Sequence, residues 1–84
     1  MAVETALKMA GWADERALRA EERAARARDH AALARANAAA DAENGLLERQ
    51  EMHLREARLH ERAASRQDEA AALQRLHAEH LRTR

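Results

Sequence analysis

The sequence has no cysteine, proline, phenylalanine, tyrosine or isoleucine, and only one valine, one tryptophan and two glycines among its 84 residues. The missing cysteine excludes disulfides and thiolate metal sites. β-Branched and aromatic residues build strands, so their scarcity argues against a sheet. Without proline, nothing obliges a helix to break from within. No apolar run approaches the roughly 20 residues of a membrane span, so no membrane partner is expected. Neither sign of charge dominates: 15 Lys and Arg face 15 Asp and Glu, and the two halves of the chain balance as well. Read along the chain, that offers no basic footprint for nucleic acid. There is no glycine-rich phosphate loop, and Ser65, the only serine, has no nucleophile–base setting around it. The expectation is therefore not an enzyme.

What is present points one way. Alanine supplies 24 residues and leucine 10, with most of the remainder Glu, Arg and Gln. These are the strongest helix formers, in the proportions of a long helix or coiled coil. The fold class expected is all-α. Fourteen of the 15 basic residues are Arg; Ala and Arg rise together in GC-rich coding, which points to a bacterial source. The first residues carry one Lys and no apolar stretch of signal-peptide type, so a cytoplasmic location is expected. A chain this short buries a modest share of its surface and gains much from partner subunits or a metal.

Asn44-Gly45 is the one strong turn signal. Glycine is the natural residue just past a helix end, where φ turns positive. The spacing predicts a helix over about 3–43, a turn at 44–45 and a second helix over about 46–81, with residues 1–84 forming one antiparallel αα-hairpin. The rival is a single uninterrupted helix of about 80 residues. Glu4–Lys8, Glu15–Arg19, Glu22–Arg26 and Glu51–Arg55 have the favourable i,i+4 order for solvated helix faces.

The most informative pattern is in the first helix. Ala6, Ala10, Ala13, Ala17, Ala20, Ala24, Ala27, Ala31, Ala34 and Ala38 follow one another at spacings of four and three. That is an unbroken heptad seam made only of methyl groups, able to face a partner helix along its whole length. It resembles the antiparallel Ala-based coiled-coil packing called an Alacoil, which implies unusually close helices. A second stripe lies beside it: Val3, Leu7 and Leu18, continued by Ala25, Ala32 and Ala39. A two-helix hairpin cannot cover both stripes, so the chain is expected to pair with itself, a homodimer forming a four-helix bundle, and beyond that with another protein. Leu59, Leu73 and Trp12 join Leu7 and Leu18 as the larger candidate contact residues; tryptophan is enriched at binding hot spots.

The second helix has a broad face with His53, His60, Gln67, Gln74 and Leu81 down its middle, one per heptad, and a smaller stripe of Leu47, Leu54, Ala72 and Leu76. Histidine and glutamine both donate and accept, so they suit bonds across a helix interface. The alternative is a metal-binding bundle: His53, Glu56 and His60 lie at i, i+3 and i+7, and imidazole with carboxylate suits a divalent transition metal such as zinc or iron. His77 and His80 sit near the C-terminus, where the helix dipole favours them.

Overall fold

The computed structural model describes residues 2–83. Two helices, α1 (Val3–Glu43) and α2 (Leu47–Arg82), pack against each other as an extended antiparallel hairpin, and the described residues include no strand. The second helix runs one residue later at each end than the spacing predicts. The turn is built around Gly45, whose φ of 69° lies in the left-handed region that a side chain disfavours. The Leu46 N–H donates to the Asp41 carbonyl at 2.8 Å and the Gly45 N–H to the Ala42 carbonyl at 3.2 Å. This pair of bonds satisfies carbonyls that a helix end leaves open. The Asn44 side chain adds a third bond, from Nδ2 to the Ala40 carbonyl at 2.9 Å.

Heptad phase explains why the chain turns rather than running on as one helix. The α1 column Ala17, Ala24, Ala31, Ala38 would continue at 45, 52 and 59, whereas the buried α2 column is Ala57, Ala64, Ala71, Ala78. In one continuous helix that two-residue offset would swing the seam by roughly 155–160°. One continuous helix could not hold both seams toward one partner.

The interior is made of methyl groups. Nine of the ten α1 seam alanines are buried, and Ala27 is half-buried. From α2 come Ala57, Ala64, Ala71, Ala78 and Leu81, the last being, among the described residues, the only buried apolar side chain larger than alanine. Ala10 and Ala13 meet Ala78 and Leu81, with Met9 alongside, and Ala17 and Ala20 meet Ala71. The rod measures 64 × 12 × 11 Å. Two Cα cylinders of radius about 2.3 Å fit a 12 Å width only with axes about 7–8 Å apart or less, below the common helix spacing. Two untwisted helices would be much thinner in one direction, so the near-equal widths show that the pair coils around itself. The cost is a large surface: 6001 Å² is exposed, against about 5,000 Å² for a compact 9.4 kDa monomer.

The structure moves the centre of the α2 face. It lies between the Ala57–Ala78 column and the column His53, His60, Gln67, Gln74, not along the latter. Those four polar residues are half-buried at one margin of the seam. The reason is the closeness of the helices, which leaves room for methyl groups at the centre and pushes longer side chains outward.

Candidate interaction surfaces

The seam has two margins with different chemistry. On one, four ion pairs cross between the helices at seven-residue intervals: Asp14–Arg82, Glu21–Arg75, Arg28–Asp68 and Arg35–Glu61. The Arg75 Nε donates to Glu21 Oε1 at 2.8 Å and the Arg35 Nε to Glu61 Oε1 at 3.0 Å. Each helix reads acid, acid, base, base along its own direction, a pattern that complements itself only antiparallel. Parallel helices would set like charges together at every step. Slipping the hairpin by one heptad would put Glu21 against Asp68 one way, or Arg28 against Arg75 the other. The alanine seam repeats every seven residues and discriminates little among such slips, so the ladder adds to the short turn between Glu43 and Leu47 in favouring the observed register. Sequence reasoning restricted to pairs within one helix missed it. Among the four i,i+4 pairs expected, Glu51–Arg55 forms at 3.4 Å, with Arg58 on the same carboxylate.

The ladder leaves its mark on proton affinity. The hydrogen bond from Arg82, foremost among its influences, holds the Asp14 carboxyl below the ordinary aspartate value of 3.8. Hydrogen bonding to Asp68 and Asp14 likewise raises Arg28 and Arg82 above the usual guanidinium value. A depressed carboxyl contributes its stability in full above its unfolded pKa and loses it as pH falls through the folded value. Arg82→Gln should therefore lower the melting temperature at neutral pH, and the difference from wild type should vanish in acid. A gap that persists unchanged in acid would show that Arg82 acts through packing instead.

The opposite margin is polar without a ladder. Arg23 Nε donates to Gln67 Oε1 at 3.0 Å. His30 and His60 meet edge to face, with ring centres 5.2 Å apart at 62°. Two shallow grooves run here, one beside Arg16, Arg19, Arg23, Ala70 and Gln74, the other beside His30, Leu33, Asn37, Glu56 and His60.

The candidate metal ligands divide between two neighbourhoods. His53 Nδ1 lies 3.5 Å from Glu56 Oε2, and its Nε2 lies 3.4 Å from Asp41 Oδ2. His60 turns its ring to His30 instead. No group of three or more His, Asp or Glu among the described residues is placed to hold a metal ion. Asp41, which the sequence reading passed over, ends the α1 seam as its only buried charged residue. Its carboxylate lies 3.4 Å from His53 Nε2 and 3.9 Å from Arg49 Nε, but its Oδ2 has no hydrogen bond, nor does His53 Nδ1. A buried acceptor so poorly matched contributes little. Asp41→Ala, which adds one more alanine to the seam, should leave urea stability unchanged or raise it. A loss above about 1 kcal/mol would mean that this carboxylate anchors the turn end of the rod.

The larger apolar residues stay outside. Leu7, Trp12, Leu18, Leu59 and Leu73 are all more than half exposed. By heptad position, Leu7 and Leu18 stand on the ladder side, whereas Trp12, Leu59 and Leu73 stand on the polar side with Leu33 and Met52.

The fold thus defines a class: a closely packed, alanine-seamed helical hairpin with two unlike flanks. No protein-family model, curated protein or solved structure matches the chain.

Proposed function

We propose that the chain is a structural or protein-interaction module that self-associates, with the homodimer as its smallest assembly. The observation that carries this reading is the distribution of apolar bulk. The interior holds alanine and one leucine, while eight of the ten leucines and the tryptophan lie exposed on the rod. Methyl groups bury little area, and exposed apolar residues on long helix faces favour docking of further helices. The Ala6–Ala38 seam is already occupied by α2, so contact between chains falls to Leu7, Leu18, Trp12, Leu59 and Leu73. Sedimentation of the purified chain at micromolar concentration tests the reading. A species of dimer mass or larger is expected; a compact, stable monomer would end it. The metal-binding alternative predicts that a chelator lowers the melting temperature and that zinc restores it. With His60 facing His30, we expect neither to change the melt.

A further inference from the structure

Charge that balances over the whole chain is sorted by the fold. On the polar margin, Arg16, Arg19, Arg23 and Arg26 follow one another along about 15 Å of α1, with Arg66 on the same flank of α2. None of these five is in an ion pair among the described residues, whose pairs draw on other arginines. By heptad position, Glu56 is the only carboxylate on this flank among the described residues. The compensating charge stands on the outer side of α1, where Glu15, Glu22 and Asp29 recur every seven residues. Between those carboxylates and the ladder runs the column Leu18, Ala25, Ala32.

We propose that hairpins associate heterologously, the arginine flank of one receiving the outer side of α1 of a second copy. This deepens the self-association reading and rests on it. The two surfaces match in three respects. Their charges are opposite. Their periods agree, since Arg16 and Arg23, and Arg19 and Arg26, share the seven-residue interval of Glu15 and Glu22. Their shapes agree too. Ala70 lines a shallow groove with Arg16, Arg19, Arg23 and Gln74, and the Leu18, Ala25, Ala32 column offers it one isobutyl group and two methyl groups.

The two symmetric ways of pairing each fail on one ground. A two-fold contact between arginine flanks would set guanidinium groups against each other. A two-fold contact between ladder flanks would leave Trp12, Leu33, Leu59 and Leu73 in water. Of these three pairings, only the unlike one engages apolar residues of both flanks without setting arginine against arginine. Such a contact does not close on itself, so assembly continues beyond the dimer unless a ring forms. Because the charges are exposed at the rim, salt weakens it.

The test is sedimentation of the intact chain across concentration, at low salt and at about 0.5 M salt. Two variants accompany it, Arg16→Glu/Arg23→Glu and Glu15→Arg/Glu22→Arg, each first shown by circular dichroism to melt as a helical hairpin. The wild type should grow past dimer mass with concentration at low salt and lose that growth at high salt. Each variant alone should lose it at low salt, and an equimolar mixture of the two should regain it, since each restores the charge the other lacks. A dimer unaffected by salt and by both variants would overturn this proposal while leaving self-association intact. A monomer throughout would overturn both. A wild type that fails to grow but shifts on adding duplex DNA would assign the arginine flank to nucleic acid and also overturn the proposal.

Discussion

Ala20→Leu should destabilise the hairpin by about 1–3 kcal/mol, the usual cost of forcing extra methylenes into a filled interior. Ala20 is almost wholly buried, and with Ala17 it meets Ala71 across the seam. With the axes this close, an isobutyl group has no cavity to enter. The helices must separate, and separation strips neighbouring alanines of their contacts along the rod. Ala24→Leu should behave alike, since Ala24 is buried in the same seam. Glu22→Leu places the same side chain on an exposed position of α1 and should be nearly neutral to folding. Small domains are marginally stable, so the seam variants should be visibly less resistant to urea at unchanged protein concentration. Equal effects at Ala20 and Glu22 would remove the case for close packing.

Reversing the four ladder charges on α1 alone, as Asp14→Arg, Glu21→Arg, Arg28→Glu and Arg35→Glu together, should lower the melting temperature by on the order of 10 °C. Each exposed pair is worth little by itself, but the reversal converts every attraction into a repulsion at the same four steps. Reversing Glu61, Asp68, Arg75 and Arg82 as well should restore most of the loss, because the pairs return with their signs exchanged. Salt near 1 M should shrink the gap between wild type and the single-helix reversal, since the groups are solvent-accessible and within screening reach. If the double reversal melts no higher than the single one, the ladder does not set the register and the loop alone does.

Much of the architecture is legible in the residues. The absence of strand formers, the alanine periodicity and Asn44-Gly45 specify two helices and a turn, because helix propensity, seam period and positive φ are local properties. The boundaries differ from expectation by one residue, since the bonds that end α1 reach Leu46 and draw it into the turn. The candidate surfaces were less legible. Leu7 and Leu18 read as companions of Trp12, Leu59 and Leu73 until the pairing put them on opposite flanks. His60 read as a companion of His53 and Glu56 until His30, distant in sequence, took its ring. Partners across the seam are invisible while the two helices are read apart.

By itself, then, the sequence determined that this chain is helical, that it bends once near its middle and that its first helix carries an alanine seam, whereas the alanine column of the second helix emerged only on pairing. Each of these follows from the conformational preference or size of residues close together along the chain. Tertiary structure alone decided which residues meet across that seam. It aligned acid with base at Asp14–Arg82, Glu21–Arg75, Arg28–Asp68 and Arg35–Glu61, set His30 against His60 and buried Asp41 at the turn end. It also gathered unpaired arginines of both helices onto one flank of a chain whose net charge is zero. The physical reason is that charge and contact depend on positions in space, and a repeating seam of methyl groups discriminates little among alignments without the short turn and the charges beside it.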